Sequence, residues 1–136
     1  MNISLRAGDK IYINGGVIRV DRKVTLELLN DMTFLLGSHV LQADQATTPL
    51  RQIYFVIQTI MMEPRGDIAV ARLARQLIAD AIASFDDIGI VSTLKHVDEL
   101  VVTGGALEAM KLLRQRFEHE RELMFPPARI AGQSAA

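Results

Sequence analysis

The 136-residue chain contains no cysteine, which excludes disulfides, thiolate metal sites and a cysteine nucleophile and agrees with a reducing compartment. It also has no tryptophan, and two tyrosines and five phenylalanines leave few rings that could stack on nucleic-acid bases. No apolar run approaches the roughly 18 residues that a membrane span needs, and the first residues do not resemble a secretion signal. We therefore expect a cytoplasmic protein without a membrane partner.

An excess of basic charge is also missing, because 15 lysines and arginines face 16 aspartates and glutamates, for a net charge of -1. The molecule as a whole does not attract nucleic acid or anionic lipid, so any such binding needs a local patch. With 49% hydrophobic residues, the composition is that of a globular protein. The length suits a single domain, which we place at residues 1–125, with a disordered tail at 126–136.

The first part of the chain has the apolar pattern of β-strands. From Ile3 to Leu36, apolar residues alternate with polar ones, which is typical of half-buried strands. Turn residues separate the runs, and Asn14-Gly15 is a strong hairpin signal because both residues tolerate positive φ. The pattern predicts an antiparallel β-meander of about five short strands over residues 1–36.

The period changes to that of an α-helix after Thr47-Thr48-Pro49. Pro49 suits the first helical position, and the Thr48 hydroxyl suits the cap before it. Helical stripes then cover residues 50–61, 70–85, 88–101 and 107–117, and Asp67 is the predicted cap of the second. The fold class is therefore α+β, a meander followed by a bundle of three to four helices over residues 48–125.

Catalytic and metal-binding patterns are not found in the sequence. His39, His96 and His119 lie in three different elements, without metal-ligand spacing. There is no phosphate-binding glycine loop, no nucleophile elbow and no dinucleotide fingerprint. We expect no catalytic residue, no metal and no cofactor, and hence a protein that is not an enzyme.

Basic residues are concentrated near the N-terminus, where only Asp9 and Asp21 oppose them. The candidate RNA-binding residues are Arg6, Lys10, Arg19, Arg22 and Lys23. Four or five phosphate contacts are enough for salt-sensitive RNA binding. The alternative is that these are solvated charges that keep strand edges from pairing, and on sequence grounds this is the stronger interpretation. Tyr12 and Phe34 are the only aromatics in this region.

The helix after Pro49 has apolar residues outside its main apolar face. Arg51 with Gln58, and Gln52 with Thr59, form two polar columns, and Phe55 and Met62 fall between them. An apolar pair in that position either packs under the C-terminal helix or contacts another protein. Arg51, Phe55 and Met62 are therefore the candidate partner-binding residues.

Two segments resemble the FlbT family of flagellar biosynthesis repressors. One runs from Gln42 through Asp44-Gln-Ala-Thr-Thr-Pro49 to Phe55, and the other from Leu5 through the Asn14-Gly15 hairpin to Ile18. The resemblance continues in order and spacing up to the charged end of the last helix. It implies a regulator that associates with the 5′ untranslated region of flagellin mRNA, represses translation and promotes decay of the message.

The resemblance also implies flagellin and the small protein FlaF as candidate partners, but it assigns no RNA-contact residue. A second copy of the chain is a further candidate partner, through the apolar pair Phe55 and Met62. Two hypotheses stay open at this point. The chain is either a repressor that binds the RNA leader directly, or an interaction module or chaperone-like factor that binds flagellin or a flagellar regulator and affects the mRNA indirectly.

Overall fold

The computed structural model describes residues 1–63 and 68–126 and confirms an α+β fold with five antiparallel strands followed by helices. The strands are β1 (Asn2–Leu5), β2 (Lys10–Ile13), β3 (Gly16–Arg19), β4 (Val24–Glu27) and β5 (Phe34–Leu36). The helices are α1 (Pro49–Met62), α2 (Ile68–Ser84), α3 (Ile88–Thr103), α4 (Ala106–Arg114) and α5 (Phe117–Met124). The predicted cap Asp67 and positions 127–136 of the predicted tail lie outside the described residues.

The strands do not form the predicted meander. β1 pairs with β4 in one sheet, and β2 lies between β3 and β5 in the other. The β1–β4 and β2–β3 pairs share one register, since Leu5 is opposite Val24 and Lys10 is opposite Arg19. Residues 1–28 are thus one long hairpin, interrupted by a bend where residues 6–9 meet residues 20–23. The prediction failed because strand alternation does not reveal which strands pair.

A two-residue turn closes this hairpin. Asn14 and Gly15 have φ values of 49° and 81°, and Ile13 is paired with Gly16. Two positive φ values are what a type I′ turn requires, and its twist matches that of the flanking strands. The Asn-Gly signal therefore predicted the hairpin correctly.

The bend lets the two halves of the hairpin bury apolar side chains against each other. Ile3 and Leu5 of β1 form a small buried cluster with Ile11 of β2. Tyr12 and Leu35, on the other face of the three-stranded sheet, pack against the helical core. This sheet therefore lies between the two-stranded sheet and the helices.

The helices pack in a ring in which α1 and α3 each contact both α2 and α4. α1 begins as predicted, with Pro49 in its first turn and the Thr48 hydroxyl accepting a hydrogen bond from the Arg51 N–H at 3.2 Å. The apolar stripes supply the shared core, which includes Ile57, Ile78 and Leu94 among its fully buried side chains.

The described residues form five α-helices because the predicted fourth helix is broken after Arg114. At the break the Arg116 N–H donates to the Leu113 carbonyl, three residues back. The Glu120 N–H donates to the Arg116 carbonyl, four residues back, which is the regular spacing of an α-helix. The tightened turn redirects the chain, so that α5 lies against the start of α1. Apolar spacing alone does not show such a change of direction.

Gln58 does not lie in the exposed polar column that the sequence predicts. Its side chain is buried, and its amide accepts from the Leu41 N–H at 2.7 Å and donates to the Leu41 carbonyl at 2.8 Å. Tyr54 donates to the His39 carbonyl in the same connecting segment. These two side chains fasten the segment between β5 and α1 to the helical core, because the segment forms only two single 3₁₀ turns of its own.

Polar side chains of α5 bind the first turns of two other helices. Glu120 is fully buried and accepts from the Leu50 N–H of α1 at 2.8 Å. His119 lies 2.8 Å from Asp87, which caps α3 by accepting from the Ile90 N–H. The Ile90 hydrogen bond and the contact with His119 hold the pKa of Asp87 below its ordinary value. A carboxylate is favourable at a helix N-terminus, so Asp87 stabilises the start of α3, and its contact with His119 holds α5 against that helix.

Glu120 predicts a pH dependence of stability. Burial raises its pKa above the ordinary 4.5. The folded state then holds the proton more tightly than the unfolded state, so this contribution is complete below the ordinary pKa and is lost as pH rises through the folded value. Glu120→Gln keeps an oxygen for Leu50 but does not titrate, so it should gain stability relative to the parent as pH rises. Urea unfolding of both proteins from acid to neutral pH measures this, and a difference independent of pH contradicts it.

Candidate nucleic-acid interface

The bend of the hairpin brings the five candidate RNA-binding residues to one region. Arg6 directly follows Leu5 and Lys23 directly precedes Val24, and these two neighbours are paired across the ribbon. Arg22 lies in the same bend. Lys10 and Arg19 form the first cross-strand pair beyond it. The structure therefore gathers the basic residues that the sequence distributes over two strands and two turns.

Lys10 and Arg19 are directly opposite each other, and both are exposed. Like charges in this position destabilise an antiparallel pair. This pair of cations therefore does not stabilise the folded hairpin, whereas an anion placed between the two side chains would be bound by both.

The acidic residues of the bend neutralise only part of its charge. Asp9 accepts from the Arg6 N–H at 2.8 Å and lies 3.8 Å from its guanidinium, and Asp21 lies 3.3 Å from that of Arg22. Such exposed ion pairs contribute little energy and exchange readily with other anions. Within the described residues, Lys10, Arg19 and Lys23 have no carboxylate within ion-pair distance. The region, here called the basic bend, keeps a local positive excess.

A groove of about 640 Å³ begins at the basic bend, with Arg6 and Lys10 on one wall. The other wall is the segment after β5, where Gly37 packs so closely that a Cβ would lie 3.0 Å from the Lys10 carbonyl oxygen. Tyr12 reaches the groove from β2 and is half-buried. The groove therefore offers charge for phosphate groups and one aromatic edge for a base.

The three candidate partner-binding residues all lie on α1 and share one side of that helix. The guanidinium of Arg51 lies over the Phe117 ring, 4.9 Å from its centroid. Met62, at the other end of α1, packs against the helical core and lines a small cavity next to Tyr12. Phe55 is half-buried between them. Residues of the β part line the same cavity, and partner binding by Arg51, Phe55 and Met62 stays a prediction.

Neither a metal centre nor a membrane span is built by the described residues. No three histidine, aspartate or glutamate side chains come together there as metal ligands. None of the described helices is both long enough and apolar enough to cross a bilayer.

Comparison with known proteins assigns a family to almost the entire chain. The sequence profile described as "Flagellar protein FlbT" matches residues 1–124. A protein of Mesorhizobium japonicum is 49% identical over 124 residues, which cover 91% of this chain and 84% of that protein. The values for a Brucella ovis protein are 49%, 91% and 82%, and for an Agrobacterium fabrum protein 48%, 91% and 83%. All three are described as "Probable flagellum biosynthesis repressor protein FlbT". No solved structure matches the chain.

Proposed function

The chain belongs to the FlbT family of flagellar proteins, and we propose that it represses flagellum biosynthesis by binding the 5′ untranslated region of flagellin mRNA. Bound there, it blocks translation of the message and promotes its decay. The role is regulatory and not catalytic. The names of the relatives support repression in flagellum biosynthesis, and the basic bend supports RNA as the target.

The observation that carries the proposal is the exposed Lys10–Arg19 pair, with Arg6, Arg22 and Lys23 in the adjoining bend. Two opposed cations are unfavourable in the free protein and favourable once a phosphate lies between them. The groove beside Arg6 and Lys10 gives an unpaired strand a path away from the bend. Single-stranded leaders suit such a site because their phosphates follow a flexible backbone.

Substitution of Arg19, Arg22 and Lys23 by alanine is expected to weaken binding to every RNA sequence. Each lost phosphate contact should flatten the slope of log K against log salt by about 0.7 for a single-stranded leader. Filter binding of a flagellin leader at several salt concentrations measures the slope. A variant with Arg72, Arg75 and Lys95 replaced, all on α2 and α3, is the matched control. Equal slopes for the parent and the bend variant remove the basic bend from the site.

A second candidate function is protein interaction, with an indirect effect on the mRNA. It is favoured by the tip of the hairpin, where Val17 and Ile18 are 58% and 48% exposed. The two side chains lie on opposite faces of β3, so the tip exposes an apolar group on each face. On this alternative, flagellin, FlaF or a second copy of the chain would cover the tip.

A further inference from the structure

Each outer strand of the two sheets, β1, β3, β4 and β5, has an open edge, and the edges of β1 and β5 lie beside one groove. β1 pairs only with β4 and β5 pairs only with β2 within the described residues. An open edge presents unpaired backbone N–H and C=O groups that can accept another strand. Folded proteins usually shield such edges, so two open edges beside one groove indicate a binding site for another strand.

The register shows which backbone groups point outward. In an antiparallel ladder, hydrogen-bonded pairs alternate with non-bonded pairs. The Leu28 N–H donates to the Met1 carbonyl, so the next bonded pairs of β1 are at Ile3 and Leu5. The N–H and C=O of Asn2 and Ser4 therefore point away from β4, toward the open edge.

The same reasoning applies to β5. The Val20 N–H donates to the Asp9 carbonyl, so β2 turns the backbone groups of Ile11 toward β3 and those of Tyr12 toward β5. Tyr12 is paired with Leu35, and the backbone groups of Phe34 and Leu36 consequently face the open edge.

Both open edges line one groove of about 510 Å³. Its walls include consecutive residues, 1–4 of β1 and 34–36 of β5, and the third wall is α4. Successive side chains of a strand point to opposite faces, so a groove lined by consecutive residues runs along the strand edge. The four outward-facing residues Asn2, Ser4, Phe34 and Leu36 all belong to this lining.

The α4 wall sets the charge of the occupant. Lys111 is exposed and has no ion-pair partner among the described residues. Arg114 donates to the Tyr54 hydroxyl at 2.9 Å and keeps its charge at the rim, where Glu108 is the only carboxylate from the part of the chain that the structure describes. Leu107 adds an apolar contact. The groove therefore combines an apolar lining with a positive rim.

We propose that this groove, here called the β1-edge groove, binds an extended acidic peptide that pairs with Asn2 and Ser4 as an additional strand of the two-stranded sheet. Its apolar side chains alternate with glutamate or aspartate, which meet Lys111. A second copy of the chain fits less well, because β1 itself contains no acidic residue. The proposal is independent of RNA binding at the basic bend.

The test uses a labelled six-residue peptide that alternates glutamate with valine, with both ends blocked, and measures fluorescence anisotropy with the full chain. Ser4→Pro removes the outward N–H without touching the bonds to β4, and edge strands accept proline. Affinity should fall by about tenfold or more, while Ser4→Val, which keeps the N–H, should bind like the parent.

Lys111→Glu should weaken binding by about tenfold through charge repulsion, with Lys95→Glu on α3 as the matched control. Circular dichroism confirms that each variant folds. Equal binding of the parent and Ser4→Pro overturns the proposal, as does equal binding of the same peptide with lysine in place of glutamate. Binding of an RNA oligomer that is lost in Ser4→Pro, without any peptide binding, also overturns it. So does a dimer that Ser4→Pro dissociates, again without peptide binding.

Discussion

Tyr54→Ala is expected to lower the free energy of unfolding by about 3–5 kcal/mol, the usual cost of removing a large aromatic from a core. The side chain is 1% exposed, and its ring meets Phe117 edge to face with centroids 5.3 Å apart. Its hydroxyl donates to the His39 carbonyl and accepts from Arg114. One side chain thus connects α1, α4, α5 and the segment after β5.

Tyr54→Phe removes only the hydroxyl, so it separates the contribution of the hydroxyl to stability from that of the ring. It leaves the His39 carbonyl and one Arg114 N–H without their partner, at a cost of about 1–3 kcal/mol. Urea unfolding followed by circular dichroism gives both values. The interpretation is wrong if the alanine variant is no less stable than the phenylalanine variant, because the ring would then contribute nothing to the core.

Reversal of both Lys10 and Arg19 to glutamate is expected to lower affinity for a flagellin leader on the order of 100-fold at low salt. The free energy of unfolding should stay close to that of the parent, because one like-charged pair replaces another. The same charge change at Arg72 and Lys95, on α2 and α3, should leave RNA binding nearly intact.

Lys10→Glu alone separates function from stability. The new side chain faces Arg19, and opposite charges across strands stabilise by about 0.2–1 kcal/mol. The variant should therefore unfold at higher urea concentration while it binds RNA less well. A variant that loses stability and keeps its affinity would show that the pair does not serve RNA binding.

The elements of the fold were predictable where local signals agree. The switch from a period of two to a helical period at Thr48-Pro49 located the start of α1, because the cap and the proline act within one turn. Asn14-Gly15 located the hairpin for the same reason. The pairing of β1 with β4 was not predictable from alternation, since the two strands are far apart in sequence and their alternation suits any partner.

The buried polar residues were beyond prediction for a related reason. Gln58 and Glu120 are compatible with burial only because Leu41 and Leu50 supply backbone hydrogen bonds from distant segments. Helical spacing assigns such residues to the solvent side, because it contains no information about partners in other elements.

The basic bend was partly predictable. Its five residues were identified from local composition, but their meeting at one bend depends on the register. A two-residue turn at Asn14-Gly15 pairs Ile13 with Gly16 and, by counting back along both strands, Lys10 with Arg19. That signal was present in the sequence. The groove beside the basic bend could not be predicted, because its second wall comes from the segment after β5, which Tyr54 and Gln58 hold in place.

Direct binding to RNA is the central claim, and one titration tests it. Purified protein is mixed in parallel with a flagellin leader transcript and with flagellin monomer, over a series of salt concentrations. The account predicts that the leader binds, that its affinity falls steeply with salt, and that the Lys10 and Arg19 reversal weakens this binding on the order of 100-fold at low salt. Measurable binding to flagellin, with none to the leader at moderate salt, would contradict the account and establish the protein-interaction function instead.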